Sequence, residues 1–349
     1  MAPVVSPVAS LSAPAVMGTV PERARISRQR VSVAFRPTLP AMSVCRNRLL
    51  VHISLSVLHS TLLNELQRQE VPIHYSKRLQ TISSNEHHVI ATFADGSTAA
   101  GAVLIGADGI HSQTRQIIFP DAPGPSYTGL ITVGGFAEHD ALKPNDAKQQ
   151  TRAHLIFGLN GFFGYGYYDR AHPSAVMWWS HLQRLEEPSA EELRFTSTEA
   201  LRKKMIDHHR GWAEPVELIL QNTSRLLWGP VHDLPDLATW SKDRVVLIGD
   251  AAHAVSPHAG QGASLALEDA LCLASHLRNG GYQNAFSKYQ RDRQQRVETI
   301  VAEARKRGEG KHSLPPNAAR IRDFMLSLFL RFRGKHLFDD AYRYKETWT

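Results

Sequence analysis

The stretch from Arg244 to Ala274 constrains this chain more than any other. It reads Arg244-Val-Val-Leu-Ile-Gly249-Asp250-Ala-Ala-His253, then Ala-Val-Ser-Pro257-His258-Ala-Gly260-Gln-Gly262-Ala263. An apolar run between a charge and a glycine predicts a buried parallel strand. Gly260-Gln-Gly262 then opens a predicted helix with Leu265, Leu267, Leu271 and Leu273. Glycines at a helix N-terminus let backbone N–H groups approach a ligand, and the helix dipole favours negative charge there. An acid at a strand end suits ribose-like hydroxyls. Strand, acid, glycine pair and helix together predict a nucleotide or flavin site.

Composition narrows the class. The chain has 349 residues, 42% of them hydrophobic, enough for a sizeable core. It lacks an apolar run of about 18 residues, so no membrane-crossing helix is expected. The two cysteines, Cys45 and Cys272, form no CxxC pair. That argues against a disulfide framework and a zinc ribbon, and for a reducing compartment. No metal site is expected. The net charge of +7 is compatible with nucleic acid. No helix-turn-helix, zinc-finger or RRM signature accompanies it, so a basic surface that attracts anionic small molecules is the better reading.

Residues 1–50 are rich in Ser, Ala, Pro, Val and Arg, with Glu22 the single acid. They read as an atypical, poorly ordered segment. An organelle transit peptide is the alternative to a cytoplasmic protein, and Arg30–Phe35 offers one short strand. His59–Gln69 has helical leucine spacing, and Val71–Tyr75 reads as a strand after Pro72. Leu79–Ser83 and His88–Phe93 read as a hairpin, with a turn at Asp95-Gly96. Val-Leu-Ile-Gly occurs at 103–106 and again at 246–249, each followed within two residues by an aspartate, Asp108 and Asp250. Two such strands would converge on one ligand at the carboxyl edge of a sheet.

From 125 to 228 glycines and aromatics alternate, as in Phe162-Phe163-Gly164-Tyr165-Gly166-Tyr167 and Val176-Met177-Trp178-Trp179. This predicts an antiparallel sheet. Its aromatic side is either a pocket wall, with Tyr165, Tyr167, Trp178 and His258 as candidates, or a face packed on the core. Glu186–His209 reads as one or two helices, Pro215–Leu220 and Arg225–Trp228 as strands, and Ala285–Arg307 as a long charged helix. Asn317–Phe332 is basic and amphipathic, which fits packing on the core or contact with a membrane surface.

Gly106-Ala-Asp108-Gly109-Ile-His-Ser112-Gln-Thr-Arg115 resembles the second fingerprint of the FAD-dependent aromatic hydroxylases, and Arg244–Ala270 resembles their third. Phe162–Tyr165 and Trp178-Trp179 are similar to the salicylate-hydroxylase-like and tetracycline-oxidising subgroup. The resemblance runs from about Val51 to the C-terminus. It implies that Asp250, after Gly249, bonds the ribityl hydroxyls of FAD. Gly260, Gly262 and Ala263 would present N–H groups to the flavin ring, and Pro257 would line the ring face. It places Asp108 and Gly109 near the pyrophosphate and links Asp108 with NAD(P)H use, while Ser112 and Arg115 hold that loop. The activity implied is FAD- and NAD(P)H-dependent hydroxylation or epoxidation of an aromatic, polyketide- or terpenoid-like small molecule with O2. No catalytic acid or base is assigned; His253 and His258 read as packing or hydrogen-bonding residues.

Two departures stand out. The chain contains no G-x-G-x-x-G, and Leu55 stands where the family carries an arginine before Leu58-His59. The fold expected is therefore α/β (α+β): a truncated Rossmann-like FAD-binding domain, residues 51–124 and 226–310. An antiparallel substrate domain, 125–225, is inserted in it, and a C-terminal helical segment, 311–349, follows. A pyrophosphate without its glycine turn loses hydrogen bonds worth about 1–3 kcal/mol each, which predicts weakened FAD binding. The alternative function is a relative without flavin redox activity that binds, isomerises or cyclises a small molecule.

Overall fold

A computed structural model describes residues 30–34, 42–44, 55–146, 149–158, 161–168, 172–309, 315, 317–319 and 321–325. Strands β1 (Arg30–Ala34) and β2 (Met42–Val44) pair antiparallel. Phe35 lies outside the described residues. Helix α1 (Leu55–Arg68) belongs to one compact unit and the other described elements to a second. After α1, Val71–Tyr75 forms no ladder, unlike the strand expected there. Pro72 has no N–H to donate, and Ser76 turns left-handed at φ 59°.

The second unit continues with a three-stranded meander, β3 (Leu79–Ser84), β4 (Val89–Phe93) and β5 (Thr98–Gly101). The turn sits at Asp95-Gly96, as expected, with Asp95 accepting from Ser97 N and paired with Lys77. Strand β6 (Leu104–Gly106) leads into α2 (Gln113–Ile118).

The long strands follow: β7 (Ser126–Glu138), β8 (Arg152–Gly158), β9 (Gly161–Tyr167) and β10 (Ala175–Gln183). Helices α3 (Ala190–Phe195), α4 (Thr198–His208) and α5 (Val216–Gln221) precede β11 (Thr223–Asp233). These strands make one sheet of order β11-β7-β10-β9-β8-β1-β2, antiparallel throughout except β1 beside β8. The expected strand Pro215–Leu220 is instead α5. Val216, Ile219 and Leu220 are all buried at helical spacing, and that period, not alternation, decides the element.

Strand alternation gives the sheet two faces. Phe163, Trp178, Ile131 and Val133 share one face with Leu201, Met205, Val216 and Ile219 of the covering helices. The glycines among the aromatics make room for indoles. A Cβ on Gly164 would lie 2.5 Å from Trp179 ring carbons, and one on Gly158 2.3 Å from Trp212.

Strands β12 (Ser241–Lys242) and β13 (Val245–Leu247) complete the second three-stranded sheet, in which β13 lies parallel to β6. The repeated Val-Leu-Ile-Gly segments are thus neighbours, with Leu247 opposite Gly106. Beyond β13 come α6 (Asp250–His253), α7 (Gly262–Arg278) and α8 (Tyr282–Glu309). Leu265, Leu273, Phe286, Tyr289, Val297 and Ile300 pack with β13 in a second core. In the C-terminal segment 317–319 and 321–325 are helical, with Ile321, Phe324 and Met325 exposed; 326–332 lies outside the described residues.

Gly164→Ala should lower stability by about 1–3 kcal/mol, the usual cost of overpacking, because the new Cβ would lie 2.5 Å from the Trp179 ring and force the indole to shift. Gly124→Ala, where a Cβ meets nothing within 4 Å, is the control. Equal urea midpoints for the two variants would show that the indole does not lie on the glycine strand.

Candidate functional site

The chain leaves β13 through Gly249 at φ 56°, a left-handed conformation that favours glycine. A Cβ there would also stand 3.0 Å from Ala266. The carbonyl of Gly249 accepts from Ala252 N and His253 N, which closes the short α6. A 3-10 turn, Pro257–Ala259, follows, and Gly260 reverses the chain at φ 64°. Helix α7 then starts at Gly262 with Gln261 before it, and no side chain caps it. Its first intrahelical bond from this end is Leu265 N to Gln261 O. The N–H groups of Gly262 and Ala263 therefore point out of the helix end.

Asp250 stands beside that end: a Cβ on Gly262 would be 3.9 Å from Asp250 Oδ1. The residue is exposed, yet desolvation raises its carboxyl pKa, with the His253 ring opposing. Exposure and crowding together describe a group in a recess open on one side. On the same loop two buried polar atoms, Ser256 Oγ and Gln261 Nε2, have no hydrogen-bond partner among the described residues.

Beneath the loop lies an ionic network centred on the fully buried Asp269 and Arg293. Asp269 accepts from Gly249 N at 2.9 Å, His253 Nε2 at 2.6 Å and Arg293 Nε at 2.8 Å. Arg293 also pairs with Glu268 at 2.6 Å, and Glu268 takes Arg296 through both oxygens. Burial alone would raise the Asp269 pKa, but the bonds from His253 and Arg293 outweigh it and hold the carboxyl below its ordinary range. His253 is thus a hydrogen-bonding residue. Sequence reasoning missed Asp269 and Arg293. Their signal was two charges on the apolar sides of two predicted helices.

The other glycine–aspartate loop is stapled to itself and to the first. Asp108 accepts from Ser112 Oγ, Thr114 N and Thr114 Oγ1, and Ser112 Oγ accepts from Arg115 N to cap α2. Gly109 supplies the turn at φ 80°. Arg115 is buried and donates to Ile110 O and, across to the second loop, to Ala251 O at 2.8 Å. Asp108 and Asp250 therefore follow adjacent parallel strands at the same edge.

The loop at Pro257-His258 meets the large sheet. The His258 ring lies edge-on to His181 at 4.6 Å, backed by Gly308 of α8. His181 shares a hydrogen bond with Thr132 Oγ1 at 3.1 Å and stacks on Phe162. By alternation Met177, Trp179 and Gly164 share this face, and the register adds Phe136 and Leu227. Tyr165, Tyr167 and Trp178 project from the opposite, helix-covered face. Trp178 is 1% exposed, stacks on Phe163 and donates to Thr223 Oγ1. Tyr165 is buried against His154, and burial followed by Tyr167 pushes its phenol far above the ordinary range. These positions are core rather than pocket wall; of the four pocket candidates only His258 lies on the loop side.

The FAD binding domain family matches residues 42–304. The chain is 30% identical over 266 residues to the FAD-dependent urate hydroxylase of Klebsiella pneumoniae, covering 71% of this chain and 64% of the relative. It is 26% identical over 246 residues to 6-hydroxynicotinate 3-monooxygenase of Pseudomonas fluorescens, covering 65% and 58%. The crystal structure of Klebsiella pneumoniae HpxO complexed with FAD and uric acid superposes with a TM-score of 0.64 at 26% identity, covering 73% of this chain and 62% of that one. The chain belongs to the FAD-binding-domain family and has its mixed α/β fold, with an antiparallel sheet and C-terminal helices. It spans less than two thirds of the length of the urate hydroxylase it resembles.

The network generates a pH prediction. A carboxylate whose folded pKa lies below its unfolded value of about 3.9 stabilises fully above that pH and loses the contribution as pH falls through the folded pKa. Asp269→Asn should therefore cost about 3–5 kcal/mol at neutral pH, as for a broken buried ion pair. The gap from wild type should shrink below about pH 3.9. Urea unfolding across that range tests it; a gap that stays flat into strong acid refutes the assignment.

Proposed function

We propose that this chain works as an FAD-dependent monooxygenase that uses NAD(P)H and O2 to hydroxylate or epoxidise an aromatic or heterocyclic small molecule. The observation that carries this reading is the recess at Asp250: a carboxylate set against the uncapped start of α7, on the same loop whose His258 meets the aromatic face of the large sheet. The residues fit the flavin–ribityl half of the cofactor. An acidic group suits the hydroxyls of a sugar-alcohol chain. Outward N–H groups at a helix start suit a ring carbonyl and negative charge. Gly260 takes the left-handed φ of 64° that turns the chain into α7, and a Cβ at 262 would be in ordinary contact with Asp250 Oδ1 at 3.9 Å.

When bound, FAD would supply the redox chemistry that couples NAD(P)H oxidation to insertion of one oxygen atom of O2. The protein's part is to bind, orient and exclude water. Asp250 would accept hydrogen bonds from the ribityl chain, and the N–H groups of Gly262 and Ala263 would hold the ring. Pro257 would cover the ring face, and Asp108, Gly109 and Arg115 would hold the phosphate-side loop. His258 and His181 close the seam between the loop and the sheet, so that Phe162, Trp179 and Thr132 define the substrate side. The similarity to a urate hydroxylase and a hydroxynicotinate monooxygenase supports a planar ring as substrate. A larger polyketide- or terpenoid-like skeleton is the finer reading. Among the described residues no helix is long and apolar enough to cross a membrane. With two cysteines outside any CxxC pair, we place the protein in the cytoplasm.

The test is to add FAD to purified protein and screen planar aromatics and heterocycles. Substrate-stimulated NAD(P)H oxidation should accompany a product heavier by one oxygen atom. Turnover that needs neither FAD nor NAD(P)H would reject the proposal. Asp250→Ala should raise the FAD dissociation constant about tenfold to a hundredfold, the equivalent of the 1.5–3 kcal/mol of a charged hydrogen bond. Unchanged affinity in a flavin titration would place the ribityl chain elsewhere.

A further inference from the structure

The pairing of α7 with α8 gathers three side chains that the proposed reaction does not use. Cys272 and His276 are one turn apart on α7 and share a face. Asp292 reaches them from α8. The Cys272 thiol sulfur, a His276 ring nitrogen and an Asp292 carboxylate oxygen all lie within 4.8 Å of one another. His276 Nε2 and Asp292 Oδ2 are 2.9 Å apart. Cys272 is 2% exposed, whereas the His276 and Asp292 side chains are 23% and 39% exposed. The cluster thus has a floor in the core and a mouth at the surface.

We propose that Cys272, His276 and Asp292 form a zinc site that clamps α7 to α8. The donors decide the metal. Thiolate, imidazole and carboxylate together suit Zn2+, at bond lengths of about 2.0–2.3 Å, whereas magnesium and calcium prefer oxygen alone. Tetrahedral bonding at those lengths sets donors roughly 3.3–3.7 Å apart. Contacts as long as 4.8 Å therefore close by about 1 Å, while the 2.9 Å His276–Asp292 pair opens to that spacing; rotamers of the two partly exposed side chains supply both movements while the buried cysteine stays in place. Binding releases the thiol proton to solvent, and a water takes the fourth position on the open side.

The place in the fold gives the clamp a consequence. Asp269 precedes Cys272 by one turn of α7, and Arg293 follows Asp292 on α8. The metal would join the same two helices that the Asp269–Arg293 pair joins internally, and that pair holds Gly249. Zinc should therefore raise the melting temperature.

Cobalt(II) titration of the metal-free full chain tests the site without any need for turnover. One equivalent should give a thiolate-to-metal charge-transfer band and tetrahedral visible bands, both displaced by zinc. The charge-transfer band should vanish in Cys272→Ser and persist in Cys45→Ser. His276→Ala and Asp292→Asn lie at the mouth and should each weaken zinc binding about tenfold or more; they carry the test if Cys272→Ser does not fold. Zinc should raise the melting temperature of wild type and not of Cys272→Ser, and magnesium should do neither. No charge-transfer band in wild type, a band indifferent to Cys272, or unchanged affinity in both mouth variants would overturn the proposal. None of these results depends on whether the chain is a monooxygenase.

Discussion

The buried carboxylate of Asp269 is the constraint on which the rest of this site depends. It accepts from a backbone N–H at Gly249, from the His253 ring and from the Arg293 guanidinium. Each donor comes from a different element: the loop after β13, the short α6, and α8. A buried carboxylate is tolerated only when its oxygens are filled, and removing one partner strands the others. The left-handed turn at Gly249, the place of Asp250 and the packing of α8 are therefore linked. The loop is held from below by this charged network in addition to its own turn hydrogen bonds to Gly249 O and Pro257 O.

The sheet does the complementary work by alternation. One face is sealed by α4 and α5, with Trp178 and Phe163 stacked in the core. The other carries Phe162, Trp179 and His181 toward the loop at His258. A shift of one residue along β10 would exchange those roles completely. Glycines set the depth, since Gly164 lets the Trp179 indole lie directly on the strand.

Much of this was legible in the chain. The repeated Val-Leu-Ile-Gly segments, each followed by aspartate, pair in parallel and set both loops at one edge, because apolar strands and glycine turns are local patterns. The meander at 79–101 and the long helix with Tyr289, Val297, Ile300 and Val301 on its buried side were equally readable. Three features were not. Residues 215–220 read as a strand because two buried turns of helix and a short apolar run look alike without their partner. The aromatic strands announce a two-sided sheet but not which parity faces the loop; that was settled by His258 meeting His181, a contact between residues far apart in sequence. The Asp269–Arg293 pair needs α7 and α8 side by side, which no window of sequence contains.

Arg115 gives the architecture one further property. Its guanidinium bonds the carbonyls of Ile110 and Ala251, on the two glycine–aspartate loops, from a buried position. Prising the loops apart would strand a full positive charge in the interior. The two halves of the cradle thus form a rigid jaw with a charged hinge pin. Asp108 and Asp250 stand exposed along this pinned edge, so the proposed cofactor would enter and leave across that edge and not through an opening between the strands.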